Sequence, residues 1–190
     1  MKSLLLHTCC APCSIAVIDE MRTAYEVTVF FYNPNIYPLA EYETRKAEVI
    51  RVCREWGIIM IDLDNESAVW EAEVGGFGRG QEGGPRCSAC FRLRLAKTAA
   101  CAKERGFDLF ATSLTSGRRK DSAAINAIGR AVSGLQGVAF LDEDWKKGGR
   151  QEKARQMVAE RSIYRQSYCG CRFSLEDALA RAEAEVRQAA

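Results

Sequence analysis

Short apolar and β-branched runs alternate with amphipathic stretches along this chain, and that alternation limits its fold more than any other feature. Strand, helix and strand in succession favour parallel pairing, and a parallel sheet must be covered on both faces. Lys2 to His7 reads as a short buried strand, followed by a turn through Cys9-Cys10-Ala11-Pro12. A helix opens near Pro12, because proline suits the first helical turn, with Ile15, Val17, Ile18 and Met21 as its apolar face. Glu26 to Tyr32 is a second strand, ended by Asn33-Pro34-Asn35. Leu39 to Trp56 is an amphipathic helix stopped by Gly57, and Ile58 to Leu63 is a third strand. Glu66 to Val74 reads as a short helix. Six of the 15 glycines then fall between Gly75 and Gly84, which predicts an inserted mobile loop or lid. The rhythm resumes with a helix over Cys87 to Arg105, a strand over Phe107 to Ser113 and a helix over Asp121 to Val132. A fifth strand over Val138 to Leu141 and a helix over Glu152 to Arg161 follow. Ser174-Leu175-Glu176-Asp177 resembles a capping box opening a final helix. With no repeat or linker, the 190 residues predict a single α/β domain over 1–190, a parallel sheet covered by helices.

Nine cysteines in such a chain are the compositional anomaly. Leu4-Leu5-Leu6 is too brief for a signal peptide, and no stretch approaches the roughly 20 apolar residues of a membrane helix. The expectation is a cytoplasmic protein without a membrane partner. Thiols stay reduced there, and grouped cysteines mean metal or redox chemistry.

Three groups stand out: Cys9, Cys10 and Cys13; Cys87 and Cys90; Cys169 and Cys171. Cys87 and Cys90 lie one turn apart on one helix face, which suits two thiolates on one metal centre. Cys9 and Cys10 would face opposite sides of a straight strand and can share a centre only if the chain turns there. The first helix N-terminus, with Arg86 and Arg92, favours thiolates. Two pairs supply four sulfurs, the usual complement of an iron–sulfur cluster or a structural zinc. A dithiol reading competes, because Cys10-Ala11-Pro12-Cys13 follows a strand and opens a helix as in thioredoxin-like proteins. Cys169-Gly170-Cys171 would close a strained, reducible disulfide suited to electron relay, or offer two further metal ligands. Cys53 and Cys101 read as buried apolar residues. His7, the only histidine, reads as a hydrogen-bonded core residue, with a catalytic role left open by its nearness to Cys9.

The formal net charge of +2 neither demands nor excludes a nucleic-acid partner. The basic clusters are Arg92-Leu93-Arg94, Arg118-Arg119-Lys120, and Lys146-Lys147 with Arg150; each is a solvated surface or a phosphate contact.

His7-Thr8-Cys9-Cys10-Ala11-Pro12-Cys13, Cys87-Ser88-Ala89-Cys90-Phe91-Arg92-Leu93-Arg94-Leu95 and Tyr168-Cys169-Gly170-Cys171 together resemble the QueH-type epoxyqueuosine reductases. Tyr32-Asn33-Pro34-Asn35-Ile36 and Ala111-Thr112-Ser113-Leu114-Thr115-Ser116 fall where that family has its second- and fourth-strand motifs. Phe91 stands where tyrosine is the commoner residue, and Thr8 where a small one is; neither change touches a thiol. The resemblance spans nearly the whole chain. It implies reduction of epoxyqueuosine at the tRNA wobble position to queuosine, with the epoxide oxygen leaving as water. It also implies a 4Fe-4S cluster on Cys9, Cys10, Cys87 and Cys90, a redox-active Cys169–Cys171 disulfide, and an adenine-nucleotide α-hydrolase-like (Rossmann-like) fold. The Ser-Gly-Gly-x-Asp-Ser loop of ATP pyrophosphatases is missing; Cys9 to Cys13 fill the equivalent turn, which disfavours ATP chemistry. On this reading Cys13 holds an auxiliary iron, Asp121 or Tyr168 donates a proton, and Arg118, Arg119 and Lys120 hold the tRNA backbone. Tyr32 or Phe77 would stack on an extruded base, and an unidentified electron donor completes the system. A zinc-stabilised tRNA-binding module and a thioredoxin-like oxidoreductase are the rival readings.

Overall fold

A computed structural model describes residues 1–189. Five parallel strands lie in the order β3-β2-β1-β4-β5. They are β1 (Lys2–His7), β2 (Tyr25–Phe31), β3 (Ile59–Asp62), β4 (Leu109–Thr112) and β5 (Ala139–Phe140). Helices α1 (Ala11–Met21), α2 (Leu39–Trp56), α3 (Ser67–Val74), α4 (Pro85–Glu104) and α5 (Ser122–Gln136) lie in the crossovers. Helices α6 (Arg150–Glu160) and α7 (Arg172–Ala189) follow the last strand.

Alternate strand residues point to opposite faces. Leu4, Leu6, Val27, Val29 and Phe31 pack with Ile15 and Ile18 of α1, Val49 and Val52 of α2 and Met157 of α6. Leu5, Phe30 and Phe110 pack on the other side with Leu95 and Ala99 of α4 and Ile125 and Val132 of α5. Because both faces are covered, β1 can be a continuous apolar run rather than an alternating one. On the second face α5 approaches the edge strand through Gly129, where an added Cβ would lie 2.4 Å from the Phe140 ring.

Local signals fix several boundaries. Gly57 adopts φ 64° at the end of α2, a left-handed stop that glycine accepts without a steric penalty. Prolines occupy the first turns of α1 and α4, so α4 opens at Pro85 rather than at Cys87. Asp121 caps α5, its carboxylate accepting from the Ala123 and Ala124 amides at 2.9 and 3.2 Å. The anticipated capping box does not open the last helix, which begins at Arg172. Ser174 lies inside α7, where its hydroxyl donates to the Cys171 carbonyl (2.8 Å) and accepts from the Gly170 amide (3.2 Å). The glycine-rich insertion is exposed over most of its length but pinned at its ends. It opens with a short 3₁₀ turn over Gly75–Phe77, Arg86 donates to the Gly78 carbonyl (3.1 Å), and Glu82 pairs with Lys120 (3.1 Å).

Among the described residues no helix is long and apolar enough to cross a membrane. The strand order reverses at β1, whose neighbours are β2 on one side and β4 on the other. In open parallel sheets such a reversal opens a crevice beyond the strands' C-terminal ends, where ligands bind. Residues 8–13 and 113–116 both emerge there.

Candidate active site

The first cysteine group closes into one cluster because the chain leaves the strand after His7, bends at Cys9 and enters α1 directly after Cys10, its N-cap (φ −168°, ψ 154°), so the strand alternation of adjacent side chains is broken. Cys9 and Cys10 sulfurs lie 3.7 Å apart, and with Cys13 all three fall within 4.8 Å of one another. Hydrogen bonds from Cys10 and Cys13 hold the Cys9 thiol well below its usual range, whereas burial pushes Cys10 well above it. Gln166 donates its side-chain amide to the Cys10 sulfur at 2.9 Å. Nothing in its local sequence marks this glutamine, which reaches the site because residues 161–171 run back along α2, tied to it through Arg45, Arg51, Glu41 and Glu55.

The α4 pair lies alongside but outside this tight group. Cys87 is buried in the apolar cluster that includes Phe30, Tyr32 and Phe91 and against which Cys9 packs, and it accepts a hydrogen bond from the Gly83 amide at 3.3 Å. Cys90 is buried with Trp70, Val74 and Cys171. Burial pushes the Cys90 thiol up, and the charge of Arg94 pulls against it. Arg94, one turn further along α4, is buried and donates to the Asn33 carbonyl oxygen at 2.5 Å. Asn33 in turn donates to the Thr8 carbonyl at 2.9 Å, joining the ends of β1 and β2 to α4. The expected basic triplet is thus divided, with Arg92 on the surface paired to Glu73 (3.1 Å) and Arg94 in the interior.

Cys169 and Cys171 are free thiols, so the expected disulfide is a dithiol in this structure. They engage different neighbours: Cys169 accepts from Lys120, while Cys171 lies with Cys90 and Trp70. Gly170 between them has φ 137°, and a Cβ there would meet Arg45 and Asn35 side-chain nitrogens at 3.1 Å. Buried Arg45 donates to the carbonyls of Cys169 (2.9 Å) and Tyr168 (3.2 Å) and pairs with Glu41 (2.7 Å), fastening this turn to α2.

Several other candidates are committed elsewhere. His7 is fully buried between Thr112 Oγ1 (2.9 Å) and the Tyr32 carbonyl (3.3 Å). Burial, with the nearby Arg94 charge, lowers its pKa to about 3, so it is neutral at physiological pH. Tyr32 is only 1% exposed and its hydroxyl donates to Glu66 at 2.7 Å, so no ring face is presented to a base. Phe77 remains 44% exposed. Asp121 is exposed and engaged in capping α5, away from the thiols' hydrogen bonds. Tyr168 donates to the Tyr37 carbonyl, and burial raises its pKa to about 12. Lys120 points inward to Cys169 and Glu82 rather than out to solvent.

A cavity of about 630 Å³ connects these groups, with Cys9, Cys13, Arg94, Lys120, Tyr168 and Cys169 on its walls. Exposed Arg118, Arg119, Arg155, Arg165 and Arg181 also line it. Among the described residues only Arg155 of these has a carboxylate partner, Glu152 at 3.0 Å. Arg165 and Arg181 come from the last fifth of the chain, and no local pattern in the sequence groups them with Arg118 and Arg119.

The fold is shared with a predicted tRNA methyltransferase subunit from Methanocaldococcus jannaschii (TM-score 0.53, 12% identity, 83% of this chain and 75% of that one). It is also shared with the U34-tRNA thiolase NcsA from Methanococcus maripaludis, solved with its [4Fe-4S] cluster (TM-score 0.52, 14% identity, 97% and 66%). An epoxyqueuosine reductase QueH from Histophilus somni is 41% identical over 189 residues, 98% of this chain and 78% of its own. The Thermotoga maritima protein of the same name is 36% identical over 178 residues, 92% and 91% of the two chains. The sequence profile named Epoxyqueuosine reductase QueH matches residues 4–177, and the chain belongs to that family of oxidoreductases.

Proposed function

We propose that this chain reduces the epoxide of epoxyqueuosine in tRNA to the alkene of queuosine with a 4Fe-4S cluster held by Cys9, Cys10, Cys87 and Cys90. The reaction takes two electrons and two protons; both carbon–oxygen bonds of the epoxide break, a carbon–carbon double bond forms, and the oxygen leaves as water. The observation that carries the reading is the group of three reduced thiols, Cys9, Cys10 and Cys13, at the topological switch point of the sheet, with Cys9 packed against the apolar cluster that holds Cys87 and with buried guanidiniums in the same fold. The donor set fits the cluster: thiolates are its usual ligands, and buried Arg86 and Arg94 each keep an Nε with no hydrogen-bond partner. When bound, the cluster would supply electrons one at a time.

The chain's own groups would do the rest. Cys13, 4.8 Å or less from Cys9 and Cys10, is the natural ligand of an auxiliary iron. Reduced Cys169 and Cys171 would return electrons by closing to a disulfide, each sulfur giving up one electron and the thiol protons leaving. Arg118, Arg119, Arg165 and Arg181 would meet tRNA phosphates around the cavity, and of the two aromatic candidates, Tyr32 and Phe77, only Phe77 is exposed enough to stack on a base. Lys120, Tyr168 and Asp121 are the acids to compare as proton sources, and of these Lys120 and Tyr168 line the cavity.

Anaerobic purification tests the reading. Iron with matching sulfide supports it, zinc favours a structural site, and neither favours a dithiol enzyme working through Cys10 and Cys13. The buried, raised Cys10 thiol is poorly suited to that last role, since exchange needs a thiolate.

A further inference from the structure

Arg94 is 2% exposed yet has no carboxylate partner among the described residues. Its hydrogen bond goes to a neutral amide oxygen, Asn33 Oδ1 at 2.5 Å, and its Nε has no partner. A guanidinium held in the interior without an anion is costly, so an anion at this place would be strongly favoured. It lies one turn along α4 from Cys90, and through Asn33 it is tied to the Thr8 carbonyl beside Cys9. Two further arginines are buried nearby in the fold. Arg86, 3% exposed, lies over the Phe173 ring at 4.2 Å, and Arg45, 1% exposed, is paired to Glu41. Three buried cations against that one carboxylate leave two positive charges over, and an oxidised 4Fe-4S cluster with four thiolate ligands is a dianion.

We propose that Arg94 is the built-in counter-cation of the cluster and raises its reduction potential. The proposal rests on the cluster reading above and gives Arg94 a positioning role, acting on the metal centre and not on the substrate. Reduction adds negative charge, so a fixed cation in a low-dielectric setting stabilises the reduced form more than the oxidised one. Asn33 keeps the guanidinium aimed. Its Oδ1 receives Arg94 while its Nδ2 is anchored on the Thr8 carbonyl, next to Cys9, so the cation and the first cysteine segment move as one unit.

The test uses anaerobically reconstituted full-length protein and its Arg94→Met and Arg94→Lys variants. Iron and sulfide per chain, midpoint potential by spectroelectrochemical titration, and melting temperature with and without the cluster are read for each. With cluster loaded, Arg94→Met should disfavour reduction about tenfold or more, a negative shift of about 59 mV per decade, while Arg94→Lys stays near the parent. The melting temperature should change sign with loading. Iron-free Arg94→Met should melt at or above the parent, because an unpaired buried cation is gone, and loaded Arg94→Met should melt below it. If Arg94→Met does not load, restoration of loading in Arg94→Lys supports the proposal and failure in both overturns it. An unshifted potential in loaded Arg94→Met, or equal shifts in the two variants, overturns it while leaving the cluster intact. Parent protein that holds no iron and sulfide overturns the cluster reading itself, and this proposal with it.

Discussion

The ammonium of Lys120 lies 2.8 Å from the Cys169 sulfur, tying the stretch between β4 and α5 to the Cys-Gly-Cys turn ahead of α7. The same ammonium pairs with Glu82 of the glycine-rich insertion at 3.1 Å and lies 5.6 Å from the centre of the Phe91 ring. Burial pushes the Cys169 thiol up, and Lys120 is the charge that opposes it. Lys120 is therefore the group placed to hold the Cys169 sulfur when it becomes a thiolate in exchange.

Replacing Lys120 with methionine should slow alkylation of Cys169 at neutral pH about tenfold, the factor that one unit of thiol pKa represents. Lys120→Arg should recover most of the rate. Peptide mass mapping after timed iodoacetamide exposure reads Cys169 apart from the other thiols, and an unchanged rate in Lys120→Met would remove Lys120 from the relay.

Serine at Cys9, Cys10, Cys87 or Cys90 should deplete iron and abolish activity, because a hard oxygen replaces a soft thiolate. Cys53→Ala is the matched control. Burial in α2 raises that thiol to about 11, it packs with Val49 and Val52 in the core, and iron content should be unchanged. Full iron in two or more of the four serine variants would break the ligand assignment.

Gly170→Ala should destabilise the protein by about 1–3 kcal/mol, the usual cost of forcing a side chain into a sparsely populated backbone region. Its φ of 137° is strained for alanine, and the added Cβ presses on Arg45 and Asn35 at 3.1 Å. Gly134→Ala, in an α5 position with nothing within 4 Å, should instead be neutral or stabilising by up to about 1 kcal/mol. Thermal melts of the two variants side by side check the contrast; equal effects would contradict the geometry of the turn.

Arg118, Arg119, Arg165 and Arg181 line one cavity without carboxylate partners among the described residues. Changing all four to alanine should weaken tRNA binding and flatten its dependence on salt, since fewer counterions are released. Arg155→Ala, which removes a residue already paired to Glu152, should do much less. Binding isotherms at several salt concentrations read both quantities, and an unaltered slope would return these arginines to ordinary surface.

What could be read in the chain and what could not divide along a physical line. Lys2 to His7 and Leu39 to Trp56 were legible because a strand's apolar run and a helix's periodicity are local, and both match β1 and α2. The cysteine groups were legible because their spacing is local too. Ser174 misled because a serine with an acid two or three residues on also occurs inside a helix; here its hydroxyl secures the preceding turn. Arg94 and Lys120 looked like members of basic surface runs, yet tertiary burial takes the first into the core and turns the second onto a thiol. Gln166 carried no local signal and Arg45 only an ordinary i, i+4 pair with Glu41, since the partners that bind them to the cysteine turns lie 156 and 124 residues away in the chain. Tyr32 followed a strand that sequence placed well, but which face of the sheet it joined was set by packing against α4.

The central claim, that reduction of the tRNA-borne epoxide depends on an iron–sulfur cluster in this chain, is tested most directly by nucleoside mass analysis. Epoxyqueuosine-containing tRNA would be incubated anaerobically, with a chemical reductant, with reconstituted protein and with the same protein stripped of iron. The loaded protein should convert epoxyqueuosine to queuosine with loss of one oxygen, and the stripped protein should leave it unchanged. Equal conversion by the two preparations, or none by a fully loaded one, would contradict the account.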